Sequence, residues 1–140
     1  MFLPDINLWL ALSFNSHTHH AAANAWFQGR GRRQCFFCRW TQQGFLRLAT
    51  NPQVFKRDAV KLKDAWRLYD QILRDPQIGF ADEPADLEVH WRAYTQRRSF
   101  SPKVWGDAYL AAFAKAASLE VVTFDKGFGH YKKLACTILP

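Results

Sequence analysis

Between Asp5 and Asp58 this chain of 140 residues has no aspartate or glutamate. Over its whole length 12 acidic residues face 19 lysines and arginines, a formal charge of +7. A surplus of that sign excludes an acidic solvating polypeptide and attracts polyanions, nucleic acid among them. Cysteine is scarce: three residues, an odd number, exclude a closed disulfide framework and point to a reducing compartment. The opening Met1–Asp5 has neither the basic nor the apolar region of a secretory leader, and no apolar run is long enough to span a bilayer. A cytoplasmic protein with no membrane association is the expectation. No linker, repeat or low-complexity tract interrupts the chain, and 49% apolar residues suffice for a substantial core, so residues 1–140 are expected to form a single domain.

What is present is an alternation of short apolar runs with amphipathic stretches. Residues 1–5 read as a strand that Pro4, lacking an N–H, must end. Leu8, Trp9 and Leu12 then take up helical spacing, and the alanine-rich segment 18–27 reads as a helix stopped by Gly29 and Gly31. Cys35-Phe36-Phe37-Cys38 has the fully apolar character of a buried parallel strand, and Thr41 is placed to cap a helix over 42–49. Apolar positions from Asp58 to Leu73 recur at three and four residues, the mark of a long amphipathic helix. Further on, Ile78–Phe80 reads as a strand, 86–94 and 107–118 as helices, 120–124 as a strand, 126–129 as a loop and 136–139 as a last strand. Such βα alternation predicts a parallel sheet with helices on both faces.

Asp5, Asp107 and Asp125 each fall where a strand hands over to a helix or loop. In an open parallel sheet the carboxyl ends of central strands face one crevice, where carboxylates distant in sequence meet and hold a hard divalent cation. Each also has a local explanation: Asp107 as a helix-start residue, Asp5 as a strand-end turn, Asp125 as turn chemistry before Lys126-Gly127. Their common level in the predicted sheet is what turn chemistry does not require and metal binding does. Other clusters carry less. Cys35 and Cys38 with His17, His19 and His20 contain zinc-type ligands without zinc-site spacing, so the cysteines read as core residues and the histidines as an exposed cluster at the start of the second helix. Trp26, Trp66 and Trp91 fit apolar helix faces and read as core. The basic clusters at Arg30, Arg32, Arg33 and Arg39, at Arg92, Arg97, Arg98 and Lys103, and at Lys126, Lys132 and Lys133 suit a solvated surface as well as a nucleic-acid track.

Four stretches in order, Leu3–Leu12, Thr41–Pro52, Trp105–Ala111 and Thr123–Phe128, resemble the successive motifs of PIN-domain ribonucleases, most closely the VapC toxins of bacterial toxin–antitoxin pairs. The resemblance spans essentially the whole chain. It implies a three-layer α/β/α sandwich around a parallel sheet, Mg²⁺ or Mn²⁺ held by an acidic cluster, and hydrolysis of RNA phosphodiester bonds. Asp5, Asp107 and Asp125 carry over onto the family's first, third and fourth acidic positions, with Asp5 and Asp107 as direct metal ligands and Asp125 serving a second ion or a metal-held water. It further implies a homodimer and a VapB-like antitoxin whose peptide covers the groove with a basic side chain among the carboxylates. One departure is plain: the family's second acidic residue is missing, and Gln42, Gln43 and Gly44 occupy its region. Gln43 is therefore the candidate fourth site residue, with Gln42 in its place if that side chain is the one facing the crevice. The alternative implied by the missing charge is a catalytically weak PIN domain that binds RNA or a protein.

Overall fold

The computed structural model describes residues 1–140. Five short strands, β1 (Phe2–Pro4), β2 (Cys35–Phe37), β3 (Ile78–Phe80), β4 (Glu120–Thr123) and β5 (Cys136–Ile138), form one parallel sheet in the order β3-β2-β1-β4-β5. Seven helices connect or flank them: α1 (Ile6–Ser13), α2 (His20–Phe27), α3 (Arg39–Ala49), α4 (Pro52–Phe55), α5 (Leu62–Leu73), α6 (Leu87–Tyr94) and α7 (Val104–Ala117). From β1 the chain first adds strands on one side, through β2 to β3, and then returns to add β4 and β5 on the other. The reversal lies between β1 and β4, and a parallel sheet opens a crevice beyond its carboxyl ends at such a switch point. That is where Asp5 and Asp125 fall.

With three or four residues per strand, the ladder supplies few hydrogen bonds, so the fold depends on the two sheet faces. Alternate residues of one strand point opposite ways. Val121 joins Leu3 in the core beneath α6 and α7, while its neighbour Val122 packs with Leu8 and Ala11 of α1. Cys35 and Phe37 meet Trp9, Phe45 and Tyr69 beneath α1, α3 and α5, where Phe37 stacks on Trp9 at 3.8 Å between centroids. Helices therefore cover both faces, a three-layer α/β/α sandwich. In α7 the buried face is mostly alanine, with Ala108, Ala111, Ala112 and Ala114 all fully covered, which lets the helix that carries Asp107 lie close to the sheet. α7 ends at Ser118 in the left-handed conformation, φ 54°.

Several element boundaries differ from the sequence expectation. The helix expected at 42–49 begins at Arg39, with Cys38 as its N-cap rather than a strand residue. Thr41 instead closes a capping box, accepting from the Cys38 N–H at 3.0 Å. Residues 56–58 form a 3₁₀ turn ahead of α5, α4 was not anticipated, and 126–130 is a 3₁₀ turn rather than open loop. Asp107 lies in the first turn of a helix already begun at Val104. The histidine cluster is half-buried rather than exposed, because His20 reaches back to the Ala11 carbonyl at 2.7 Å and bonds Asn24. Trp66 is 52% exposed; the fully buried tryptophan is Trp9.

Candidate active site

Asp5 is positioned twice by backbone. Its N–H extends the β1–β4 ladder to the Val122 carbonyl at 2.9 Å, and its side chain caps α1, Oδ1 accepting from the Ile6 N–H at 2.6 Å. The other oxygen, Oδ2, accepts from the Thr123 hydroxyl at 2.9 Å. That same hydroxyl oxygen accepts the Asp125 N–H at 3.0 Å, and Asp125 Oδ1 accepts the Gly127 N–H at 2.7 Å. Thr123, fully buried at the end of β4, thus ties the carboxylate after β1 to the turn after β4. Asp107 arrives from a third element, the first turn of α7, where free N–H groups favour negative charge.

The three aspartates line one crevice of ≈ 460 Å³. Its other walls include Trp40 and Arg47 from α3 and Lys103 at the start of α7. Gly106 makes the wall possible: a Cβ there would stand 2.5 Å from Cζ2 of Trp40, so only glycine lets the indole lie against the turn before Asp107. Burial pushes the Asp5 carboxyl up to about 6, against the lowering effect of its bonds from Thr123 and Ile6, and the charges of Asp107 and Asp125 push the same way. The Asp107 carboxyl is also raised, by burial first and then by Asp125, with Lys103 and Arg97 opposing. These groups repel one another in a partly desolvated site, a condition that a bound cation relieves.

The residues fit a hard divalent cation. The converging donors are carboxylate oxygens, with no thiolate or imidazole among the crevice walls. They do not close into a preformed cage of three ligands, so water or phosphate oxygens must complete any coordination shell. Gln43 sits on the same side of α3 as Trp40 and Arg47, but it is exposed and outside the crevice wall. Gln42 is 8% exposed and bonded to Arg39, with its side chain toward Tyr69. At Gly44 a Cβ would fall 2.1 Å from Ile6 Cδ1, so α3 packs directly on the first residue of α1. Sequence reasoning named Lys103 only within a basic cluster and did not single out Thr123, Trp40 or Arg47. The one available signal for Thr123 was its place two residues before Asp125; nothing local marked the others.

The arrangement is a parallel sheet with carboxylates at its switch point, in a crevice that also holds Arg47 and Lys103. The chain belongs to the PIN domain family, whose pattern matches residues 2–134. It is 42% identical over 144 aligned residues to ribonuclease VapC41 of Mycobacterium tuberculosis, covering 99% of each chain. Ribonuclease VapC38 of the same organism is 31% identical, over 91% of this chain and 86% of that one. In fold the chain is similar to the crystal structure of VapC20 from M. tuberculosis, a toxin that cleaves the sarcin–ricin loop, with TM-score 0.68, 16% identity and both chains covered completely. It is also similar to VapBC2 of Rickettsia felis bound to a promoter DNA fragment, with TM-score 0.69 and 12% identity over 99% of this chain and 98% of that one. No helix is long and apolar enough to cross a membrane.

Proposed function

We propose that this chain is a single-domain, Mg²⁺-dependent endoribonuclease acting as the toxin of a type II toxin–antitoxin pair. The observation that carries the proposal is the convergence of Asp5, Asp107 and Asp125 from three separate elements on one crevice walled by Arg47 and Lys103. The ribonuclease names of its relatives at 42% and 31% identity support it. When Mg²⁺ or Mn²⁺ is bound, it supplies Lewis acidity, making water nucleophilic near neutral pH and offsetting charge on the phosphate. The protein does the rest. Asp5 and Asp107 would be the direct ligands and Asp125 would serve a second ion or a metal-held water, while the Thr123 hydroxyl fixes the Asp5 carboxylate relative to the Asp125 backbone. Arg47 and Lys103 draw the phosphodiester to the rim, where their charge offsets the repulsion between phosphate and carboxylates. Trp40 closes one side of the crevice with an aromatic surface against which an unpaired base can stack. RNA is the substrate because such a recess admits single strands and splayed loops, whereas DNA reading needs an element that projects into a groove.

A VapB-like antitoxin is proposed to inhibit the enzyme by placing a basic side chain among the three aspartates, and the enzyme is proposed to act as a homodimer. The decisive experiment is cleavage of single-stranded RNA by the purified chain with Mg²⁺ and with a chelator. Cleavage that persists in the chelator removes the metal mechanism. Binding without cleavage in Mg²⁺ supports the second reading, a weak PIN domain that holds RNA or protein, for which the lack of any carboxylate between Asp5 and Asp58 is the specific observation.

A further inference from the structure

A larger concavity opens beside the crevice. It measures ≈ 710 Å³ against ≈ 460 Å³, and Asn7 of α1 and Leu48 of α3 line both, so the two adjoin along those helices. The charge reverses between them. Where the crevice presents aspartates, the larger part presents Lys56 and Arg57, with Asp58 its single acid and His17 beside them.

Two details mark this wall as more than solvated surface. Lys56 has φ 51° and ψ −124°, a conformation that glycine adopts freely and that a residue with a side chain holds only at a cost. The ring of His17 is held by the backbone: its Nδ1 accepts the His19 N–H at 3.1 Å, which leaves the ring proton on Nε2. Burial, and then the neighbouring His19 and His20, lower its pKa, so the ring is a neutral aromatic face with one donor. It lies 6.5 Å from Phe55, which stacks on Phe14 at 4.0 Å. Cations that follow phosphates, beside a half-exposed aromatic ring that can take a base, are the combination single-stranded nucleic acid recognises.

We propose that this depression is a substrate subsite: it holds the single-stranded RNA flanking the scissile phosphate, with Lys56 and Arg57 on successive phosphates and a base against the half-buried His17 ring, which the buried Phe55 backs. The inference rests on the ribonuclease reading above. Adjacency to the crevice, with cations where the crevice has carboxylates, favours a strand that runs on from the scissile phosphate over a protein segment docked in one part.

The test is the double variant Lys56→Gly with Arg57→Gln in the full chain, using a labelled single-stranded RNA of about 16 nucleotides. KM for its cleavage in Mg²⁺ should rise several-fold with kcat nearly unchanged. By fluorescence anisotropy the dependence of log affinity on log salt should flatten by about 1.4, two phosphate contacts at about 0.7 each. The melting temperature should not fall, since glycine relieves the strain at position 56. Lys56→Arg, in an otherwise unaltered chain, should keep the wild-type salt dependence. An unchanged KM and salt slope in the double variant, beside a wild type that cleaves, overturns the subsite and leaves the nuclease intact. Unchanged RNA parameters with loss of binding to an acidic antitoxin peptide overturn it too, by assigning the depression to the protein partner. A wild-type chain that neither binds nor cleaves RNA defeats the ribonuclease reading itself, before any variant is compared.

Discussion

The crevice and the depression beside it share a wall at Asn7 and Leu48 but are built in opposite ways. In the crevice, the three acidic side chains are half-buried and two of them are pinned: Asp5 by the Ile6 N–H and the Thr123 hydroxyl, Asp125 by the Gly127 N–H. In the depression, Lys56 and Arg57 are exposed, and no hydrogen bond or ion pair fixes either side chain. The difference follows from the tasks. A cation needs oxygens placed within a few tenths of an ångström, which only secondary-structure ends and buried bonds provide. A polyanion needs only charge within reach, and long exposed side chains supply it without fixed geometry. Substitutions in the crevice should therefore act on rate, and those in the depression on affinity and its salt dependence.

The largest effect is expected at the ligands. Asp5→Asn or Asp107→Asn should lower kcat by about 10³-fold or more, with circular dichroism unchanged. An Asp107→Asn protein that cleaves at the wild-type rate would remove the crevice from the chemistry and erase the contrast with its neighbour. Next comes Thr123→Val, which takes the donor from Asp5 and strands the part-buried Asp125 N–H. Activity should fall by about 10–100-fold, as for other groups that orient metal ligands. Stability should drop by about 1–3 kcal/mol through the unsatisfied N–H, and Thr123→Ser should restore both.

Gly106→Ala tests how closely the wall is packed. A Cβ 2.5 Å from the Trp40 ring should cost about 1–3 kcal/mol in urea denaturation. Trp40→Leu in the same chain should recover part of that, since the two changes share one contact. Recovery of nothing would mean that the strain lies in the backbone of α7.

The raised Asp5 carboxyl has a stability consequence of definite sign. A carboxyl lifted from 3.8 to about 6 on folding keeps its proton longer in the native state, so this group withdraws stability as pH rises through that interval. In metal-free protein, Asp5→Asn, which can still cap α1, should gain roughly 1 kcal/mol at pH 7.5 once screening in the half-buried site is allowed for. The gain should shrink as pH falls through that interval and vanish below about pH 3, where the wild-type carboxyl is protonated in both states. A gain independent of pH would assign the effect to capping rather than to charge. The smallest effect is expected from Gln43→Glu. An exposed carboxylate outside the wall contributes at most about 1 kcal/mol, so Mn²⁺ affinity measured by calorimetry should change by no more than about fivefold. A second tight site appearing with that substitution would place Gln43 inside the crevice after all.

The three-layer sheet was legible because short apolar runs alternating with helical periods admit few packings, and the crossover rules make the sheet parallel. The three aspartates were legible for a related reason: Pro4 ends β1 and forces Asp5 to its mouth, and Val121–Phe124 delivers Asp125 beyond β4. These are local consequences of residue type, which neighbours along the chain decide. Local pattern could not say that the sheet reverses between β1 and β4, that one Thr123 hydroxyl serves both Asp5 and Asp125, or that Gln43 turns outward while Gln42 turns inward. Nor could it say that Asn7 and Leu48 join an acidic recess to a basic one, or that Lys56 would be held at positive φ. Each of those depends on contacts between residues tens of positions apart, formed when two sheet faces are buried at once. Residue type decides which way a strand or helix forms; only the joint packing of the layers decides which side chains then face one another.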